Sequence, residues 1–586
     1  MVKDEEGPNV FDIRTLRPEL DDLGLSNSLA QFFNLITKDY VPLIEEQKIE
    51  HQVKLLENYE VAARLRSFKK PRSMLRGDIY PDMITPLSDI LAIPLTDIYN
   101  CSRTFNSWPA SWKEEVMVII PKCSNPTSYS DLRNLSCTPL FTKVLESFVL
   151  DDLKSELSVD KTQYGSTKKC GVDHYLIETW DYILNAIEDP GAACNLISID
   201  FSKAFNSLDH TKCLQMFEKK GASVQSLGML RSFLEKRYMK VRIDKMFSSP
   251  LPINGGSPQG TLLGNLIFII ATSDLDKGIS YEERSLNTNS DNEDCDKSLL
   301  EHESLHVLDE NNSESDPLVV KYVDDILGAE KLSTASGKCH YSTNTPTCSI
   351  YSKKSEHLIN HVTESAAELG LKVNNKKTQM ICINGNPNLK VSTFIIDQHN
   401  ANERVVSSDC MKILGFFFDS RPTVDKHIYK MGRKFKKRLW FLRHLTKAIK
   451  SHQELVACYC CFLRPILEYC SYVYHPMLNK TLTAMIESFQ YQALKVIFGY
   501  NVKKEDLLEK SGLSTLEERR GGLFKNFCLK IHSTPRFRSQ WLKERQFVGH
   551  DLRNQMIIEE NFARTERLFK SPLFSMRRLL NDILVT

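Results

Sequence analysis

Two adjacent carboxylates, Asp324 and Asp325, lie near the middle of the chain between short apolar runs. Val319–Val320 and Tyr322–Val323 precede them, and Ile326–Leu327 follow. β-Branched and aromatic residues on both sides of a short polar break are typical of a tight hairpin, which would carry both aspartates at its tip. Because adjacent negative charges repel, a divalent cation would explain why they are held together. The alternative is a surface turn, which aspartate also favours.

A second candidate site lies upstream, where the apolar segment Leu196–Ile199 is followed by Asp200 and then by a helix-like run that reaches Leu208. A carboxylate at the end of a strand is well placed to bind a metal ion. The alternative is that Asp200 caps the helix that follows it.

A third segment, residues 254–264, reads Asn-Gly-Gly-Ser-Pro-Gln-Gly-Thr-Leu-Leu-Gly and precedes the apolar run 266–271. Glycines allow the backbone to approach a ligand closely, and the start of a helix attracts anions. The segment therefore predicts a loop that faces a ligand, followed by a helix.

In this order, the three segments resemble motifs A, B and C of reverse transcriptases, and most closely those of non-LTR (LINE-type) retrotransposons. The matching elements are Tyr322-x-Asp324-Asp325, Asp200 followed five residues later by Phe205, and Gly256-x-Pro258-Gln259-Gly260-x-x-x-Gly264. The resemblance implies an α+β fold of the right-hand polymerase type, with fingers, a ferredoxin-like palm and a helical thumb.

The resemblance also divides the chain into regions. We expect a helical N-terminal extension (1–75), fingers (76–195), a palm (196–420), a thumb (421–500) and a helical C-terminal region (501–586). The palm would carry polar insertions near 276–318 and 333–356, which are poor in apolar residues and read as loops.

The resemblance implies a two-metal site. Asp200, the backbone carbonyl of Phe201 and Asp324 would bind two Mg²⁺ ions, with Asp325 close by and Mn²⁺ able to substitute. Two such ions activate the primer 3′-hydroxyl and stabilise the leaving pyrophosphate.

Six further residues match family positions around the incoming nucleotide: Lys122, Arg133, Phe205, Gln259, Lys376 and Lys377. The resemblance places Lys122 and Arg133 near the phosphates, because fixed cations suit a triphosphate. It places Phe205 beneath the sugar, where an aromatic ring excludes a 2′-hydroxyl. Either Lys376 or Lys377 would lie near the pyrophosphate. The alternative for these cations is ordinary surface exposure, and for Phe205 it is core packing.

Two residues depart from the family pattern near these positions. Asn134 replaces a usual proline, and Asn206 occupies a position that is often aspartate. We expect neither change to remove a metal ligand.

The predicted thumb begins with an amphipathic helix. Its apolar face comprises Ile428, Met431, Phe435, Leu439 and Leu442. Its basic residues include Arg433, Lys434, Lys436, Lys437 and Arg438, and no acidic residue lies between Lys426 and Lys450. A merely solvated face would carry both signs of charge, so we expect this helix to neutralise phosphates of a nucleic-acid duplex.

A shorter amphipathic helix is predicted near the N-terminus, where Leu29, Phe32, Phe33 and Ile36 share one face and Ser26 or Ser28 would start it.

The 586 residues include sixteen cysteines without a paired framework, which indicates reduced thiols inside a cell. Nucleus and cytoplasm stay open alternatives. No apolar run reaches the length of a membrane span, so we expect no membrane partner.

The predicted activity is RNA-directed DNA synthesis, with an RNA template, a DNA primer or target, and dNTPs as partners. Because only about 70 residues precede the fingers, we expect the chain to lack the endonuclease domain that family members usually carry. The alternatives are an inactive, host-adopted RNA-binding protein, an RNA-templated RNA polymerase, which Phe205 disfavours, and a group II intron maturase.

Overall fold

A computed structural model describes residues 11–44, 53–68, 81–189, 191–278, 317–333, 347–386, 390–397, 403–545, 557–560 and 562–585. The chain divides into two compact units. Unit 1 comprises residues 1–166, 200–277 and 361–374, and unit 2 comprises 167–199, 278–360 and 375–586. Among the described helices, none combines the length and the apolar character needed to cross a membrane.

The strands of the described residues are, in chain order, β1 Glu114–Pro121, β2 Leu132–Cys137, β3 Ala192–Ile199, β4 Arg237–Ile243, β5 Met246–Phe247, β6 Leu251–Ile253, β7 Leu318–Tyr322, β8 Asp325–Ser333, β9 Thr347–Tyr351, β10 Gln379–Asn384, β11 Lys390–Asp397, β12 Glu403–Val406, β13 Cys410–Ile413 and β14 Phe416–Asp419.

The α-helices of the described residues are α1 Asp22–Asn34, α2 Asn58–Ser67, α3 Pro81–Ile84, α4 Ser88–Thr104, α5 Leu140–Glu156, α6 Val172–Ala186, α7 Ala204–Ser207, α8 His210–Lys219, α9 Val224–Leu234, α10 Leu262–Ala271, α11 Lys353–Glu368, α12 Asp425–Ala448, α13 His452–Cys458, α14 Arg464–Glu468, α15 Ser471–Tyr474, α16 Lys480–Phe498, α17 Lys504–Ser511, α18 Leu516–His532, α19 Pro535–Trp541, α20 Glu566–Phe569 and α21 Pro572–Val585.

The central sheet of unit 2 has the strand order β10-β3-β8-β7, and all its neighbours are antiparallel. In chain order, β3 is followed by helices, then by the β7–β8 hairpin, then by α11 and β10. This is the β-α-β-β-α-β arrangement of a ferredoxin-like sheet. The α+β class and the ferredoxin-like sheet predicted from the sequence are therefore confirmed. Strand β3 is almost wholly buried, which fits its continuous apolar sequence.

Unit 1 contains a second sheet, ordered β2-β1-β4-β5, with β6 paired to β4. Helix α1 packs on this sheet through Leu25, Leu29 and Phe33, which share a buried cluster with Met117 and Val241. The predicted apolar face is thus confirmed in part: Leu29 and Phe33 are buried, Phe32 is partly buried, and Ile36 lies beyond the end of α1. The predicted start was wrong: Asp21 is the N-cap, because its carboxylate accepts from the Gly24 amide at 2.7 Å.

The second predicted insertion contains regular structure. Residues 347–351 form β9, which pairs in parallel with β11, and α11 begins at Lys353. The loop prediction for 333–356 therefore fails over its last ten residues. Most of the first insertion, 279–316, lies outside the described residues, as does 334–346.

Helix α12, which begins the predicted thumb, has the predicted amphipathic character. Its five predicted apolar residues are all buried: Ile428, Met431, Phe435, Leu439 and Leu442. Helix α12 packs against α16, where Phe435 meets Phe489 with ring centroids 5.5 Å apart.

Candidate active site

The β7–β8 hairpin carries the paired aspartates at its tip, as predicted, but its two-residue turn is Val323–Asp324, and Asp325 is the first residue of β8. Tyr322 pairs with Asp325, which leaves Val323 and Asp324 as the turn. Val323 adopts φ +60°, a conformation that is costly for a β-branched residue. The Tyr322 ring packs edge-on against Tyr175 of α6, with centroids 6.1 Å apart. The surrounding fold therefore holds a strained turn at the tip that carries both carboxylates.

Strand β3 ends beside this hairpin. Its last residue, Ile199, pairs with Ile326 in β8, and Asp200 is the next residue along the chain. The backbone oxygen of Asp200 accepts a hydrogen bond from the Asn374 amide at 2.7 Å, so it is already engaged. Among the described residues, no group of three or more acidic, histidine or cysteine side chains is arranged to hold a metal ion.

The segment after Asp200 is joined to residues 369–374 by backbone contacts. Phe201, which is buried, forms a β-bridge with Val373, and the Ser202 amide donates to the Lys372 oxygen at 2.8 Å. The Asp209 amide donates to the Leu369 oxygen at 2.9 Å. These contacts fix the backbone on both sides of α7.

Phe205 belongs to α7, and its ring stacks on Phe268 of α10 with centroids 4.6 Å apart. Its carbonyl accepts from the Ser257 amide at 2.5 Å, and the Leu208 carbonyl accepts from the Gly256 amide at 2.7 Å. The glycine-rich loop at 254–264, the motif B loop, is thus bound directly to the segment that carries Phe205.

Gly256 in this loop has φ +86°, and a Cβ atom there would lie 3.0 Å from the Phe205 oxygen. The Gly256 oxygen accepts from the His210 Nε2 at 2.7 Å. Burial lowers the pKa of His210 to about 4, so the ring is neutral at neutral pH and donates one hydrogen bond. A glycine is therefore required at 256 by both its conformation and its neighbours.

Strand β2 is bound to the same region. The Ser136 amide donates to the Gln259 oxygen at 2.8 Å, and the Asn206 side-chain amide donates to the Asn134 Oδ1 at 2.9 Å. The two residues that depart from the family pattern are therefore hydrogen-bonded to each other. Asn134, Ser136, Asn206 and Gln259 are among the residues that line a small cavity of about 30 Å³, and Phe205 lines it too.

The sequence indicated that the start of α10 would attract an anion. In the structure, a carboxylate of the protein itself already accepts hydrogen bonds there. The Glu146 carboxylate accepts from the Leu262 amide at 2.7 Å and from the Leu263 amide at 3.4 Å. Glu146 is fully buried, and burial raises its pKa to about 6 despite these hydrogen bonds. The protein thus supplies its own carboxylate to this helix terminus.

The predicted phosphate-binding cations are exposed. Arg133 projects from β2 on the face opposite its buried neighbours, and Lys122 donates to the Ser130 oxygen at 2.9 Å. Lys376 and Lys377 are exposed in a turn at 375–377. Phe205 and Gln259 are the two predicted nucleotide-binding residues that line the same cavity.

The predicted nucleic-acid-binding residues of α12 are all exposed: Arg433, Lys434, Lys436, Lys437 and Arg438. The Lys436 ammonium lies 5.9 Å from the centre of the Phe489 ring. Trp440 is 61% exposed on the same helix. Such a surface can neutralise phosphates and offer an aromatic face to a base.

Sequence patterns missed Tyr40, which follows α1. Its hydroxyl donates to the Ser207 oxygen at 2.7 Å, and the Gly370 oxygen lies 3.2 Å from the same hydroxyl. A single tyrosine outside a regular helix carries no periodic signal, so no local pattern identifies it.

Comparison with known proteins gives a family match and several relatives. The reverse transcriptase (RNA-dependent DNA polymerase) family matches residues 120–418, slightly more than half of the chain. In Drosophila melanogaster, the probable RNA-directed DNA polymerase from transposon BS is 29% identical over 195 residues, or 32% of this chain and 21% of that protein. The RNA-directed DNA polymerase from mobile element jockey is 28% identical over 183 residues, or 30% of this chain and 20% of that protein.

The probable RNA-directed DNA polymerase from transposon X-element, also from Drosophila melanogaster, is 28% identical over 198 residues, or 32% of this chain and 21% of that protein. The chain therefore spans about a fifth of the length of the curated relatives it matches. The family match includes β3, the motif B loop and the β7–β8 hairpin. The chain belongs to the reverse transcriptase (RNA-dependent DNA polymerase) family.

Proposed function

We propose that this protein is the RNA-directed DNA polymerase of a non-LTR retrotransposon, which transfers a nucleotidyl group from a dNTP to a primer 3′-hydroxyl on an RNA template. The observation that carries the proposal is the ferredoxin-like sheet, in which the Asp324–Asp325 hairpin pairs with the strand that leads into Asp200. The family match covers this whole sheet.

The donor types at this sheet end suit magnesium. Carboxylate and carbonyl oxygens are the ligands that hard divalent cations prefer. Asp200, Asp324, Asp325 and the Phe201 carbonyl would hold two Mg²⁺ ions, and Mn²⁺ would substitute. When bound, the metal supplies charge stabilisation at the reacting phosphate oxygens.

The remaining roles belong to side chains and backbone of this chain. Phe205, fixed between Phe268 and the motif B loop, would exclude a ribose 2′-hydroxyl. Gln259, whose carbonyl is bound to β2, would support the templating pair. Arg133 and Lys122 would bind the triphosphate through charge-assisted hydrogen bonds.

Two lysines are candidates for the group that donates a proton to the leaving pyrophosphate. Lys376 and Lys377 are both exposed in the turn that follows the backbone contacts of residues 369–374. Proton donation by a positioned side chain contributes typically about 10²–10⁴-fold.

We assign residues 76–195 to the fingers, 196–420 to the palm and 421–500 to the thumb. The exposed cations of α12, Arg433, Lys434, Lys436, Lys437 and Arg438, would hold the duplex of RNA template and DNA primer through its phosphates. None of the thirteen cysteines whose side chains the structure describes forms a disulfide, which supports action inside a cell.

Primer extension tests the proposal. The full chain is incubated with poly(rA)–oligo(dT), dTTP and magnesium or manganese, beside an Asp324→Asn variant. Removal of a negative charge from the metal site is expected to lower extension by about a thousandfold or more. The matched control is Asp506→Asn, which changes an exposed aspartate on α17 and is expected to retain extension.

Two outcomes would contradict the proposal. If a folded parent chain binds RNA but extends no primer, the inactive RNA-binding alternative is favoured. If the parent and Asp324→Asn extend equally, Asp324 is not a metal ligand.

A further inference from the structure

Tyr40 touches three chain segments that carry the proposed chemistry. Its hydroxyl reaches the carbonyl oxygens of Ser207, at 2.7 Å, and of Gly370, at 3.2 Å. Its ring lies against Gly255 of the motif B loop, where an added Cβ atom would come within 2.6 Å of the ring. All four residues belong to unit 1.

Two glycines make room for this tyrosine. A Cβ atom at Gly370 would lie 2.2 Å from the Tyr40 hydroxyl oxygen, and Gly370 also has φ +76°. A Cβ atom at Gly255 would meet the Tyr40 ring and, at 3.0 Å, the Leu208 oxygen. The surrounding backbone is thus shaped around the ring.

The carbonyls of Ser207 and Gly370 lie at one end of a series of backbone hydrogen bonds. Asp209 is bound to Leu369, Ser202 to Lys372, and Asp200 to Asn374, so the two segments already run side by side. The Tyr40 side chain connects these two backbone segments next to the Asp209–Leu369 hydrogen bond. Burial raises the pKa of Tyr40 above its ordinary value, so the phenol stays protonated and donates.

A second side-chain contact ties the same N-terminal segment to α7. The Lys203 ammonium lies 4.1 Å from the centre of the Phe32 ring, which belongs to α1. Lys203 itself adopts φ +53° as the N-cap of α7. The helix that carries Phe205 is thus contacted at its start by Phe32 and at its end by Tyr40.

We propose that Tyr40 is a positioning residue for nucleotide selection. Its hydroxyl fixes Ser207, and through it Phe205 two residues earlier, so that the ring stays where it discriminates against a 2′-hydroxyl. The proposal rests on the proposed function, because it concerns how the polymerase selects its nucleotide. Displacement of Ser207 would also shift the motif B loop, because amides of that loop donate to the carbonyls of Phe205 and Leu208.

The test is Tyr40→Phe, which removes one hydroxyl and keeps the ring. A lost hydrogen bond corresponds to roughly a fivefold effect. We expect the KM for dTTP to rise about fivefold and the preference in kcat/KM for dTTP over UTP to fall about fivefold, with kcat changed by less than about twofold. The matched control is Tyr59→Phe on α2, where the tyrosine is 71% exposed.

A variant that combines Tyr40→Phe with Phe205→Ala adds a second criterion. If Tyr40 acts through Phe205, the loss of selectivity in the double variant equals that of Phe205→Ala alone, because residues that act together are not additive. Independent, additive losses would overturn the proposal. So would unchanged selectivity in a folded Tyr40→Phe variant.

Hydrogen exchange separates this proposal from the proposed function. In Tyr40→Phe, we expect faster exchange in peptides that cover 200–209 and 369–374, and unchanged exchange in β4 and α9 of the same unit. If the parent extends no primer but this local effect appears, the proposed function fails and the structural bridge stands. If exchange is unchanged in both segments, the bridge does not hold them and the proposal fails.

Discussion

The motif B loop and the thumb helix α12 are both proposed to face nucleic acid, but the protein holds them in different ways. The loop is bound by backbone hydrogen bonds to Phe205, Leu208 and Ser136, and its glycines lie so close to neighbouring backbone that a Cβ atom would not fit easily. Helix α12 is held by one buried apolar face, and its predicted nucleic-acid-binding cations lie on the exposed surface. The loop therefore depends on exact backbone positions, whereas the helix depends on burial and charge, which tolerate more substitution.

Glycine-to-alanine substitutions give the largest expected contrast between the two regions. A Cβ atom at Gly264 would lie 2.2 Å from the Pro258 backbone oxygen, whereas one at Gly432 of α12 would lie 2.4 Å from the end of the Phe489 ring. A ring can turn away, but the loop backbone cannot. We expect Gly264→Ala to cost about 3 kcal/mol of unfolding free energy and Gly432→Ala about 1 kcal/mol, measured by urea denaturation.

Both glycines lie within helices, so the gain in helix propensity from alanine is the same and cancels from the comparison. Equal costs for the two substitutions would show that the motif B loop is no more constrained than α12.

The buried carboxylate at the start of α10 predicts a pH dependence of stability. The folded pKa of Glu146 is about 6, above its ordinary value of 4.5. Between these values the folded protein keeps a proton that the unfolded chain has lost, so this group's contribution falls as pH rises from 4.5 to 6. The difference corresponds to about 2 kcal/mol.

Glu146→Gln should remove the contribution of Glu146 to the pH slope, while it keeps an acceptor for the Leu262 amide; burial also raises the pKa of Asp173 and of Asp181 to about 6, so their contributions stay. The measurement is the free energy of unfolding at pH 4.5, 5, 6 and 7 in the parent, in Glu146→Gln and in Glu509→Gln, which changes an exposed residue of α17. If the slope between pH 4.5 and 6 is as steep in Glu146→Gln as in the parent and in Glu509→Gln, Glu146 does not contribute to it.

Charge removal on α12 is expected to have the smallest effect on the fold. Lys436→Ala and Lys437→Ala should each change the free energy of unfolding by no more than about 0.5 kcal/mol. Each should lower the slope of log affinity against log salt concentration by about one for an RNA–DNA duplex. Lys510→Ala, on exposed α17, is the matched control, and an equal change there would show that the binding is not specific to α12.

The same contrast explains which features the sequence could predict. The apolar face of α12 follows a 3.6-residue period and the β7–β8 hairpin follows from its flanking apolar runs, so both are local signals. Strand β9 was missed because its segment is polar and its pairing with β11 joins residues about forty positions apart.

The supports of the candidate site were missed for a related reason. Glu146 caps a helix that begins more than a hundred residues later, and Asn134 bonds to Asn206, which lies 72 residues further along the chain. Tyr40 bonds to Gly370 across an even longer separation. No local period records such contacts, and the family resemblance identifies ligands but not the residues that position them.

The packing of α1 has a practical consequence for anyone who prepares fragments of this protein. A fragment that starts at residue 120, where the family match begins, would cut inside β1 and discard Leu25, Leu29 and Phe33. The apolar surface of β4 that those side chains cover would then face water. Such a fragment would aggregate for reasons unrelated to its chemistry, and it would be a poor starting material for activity assays or crystallisation.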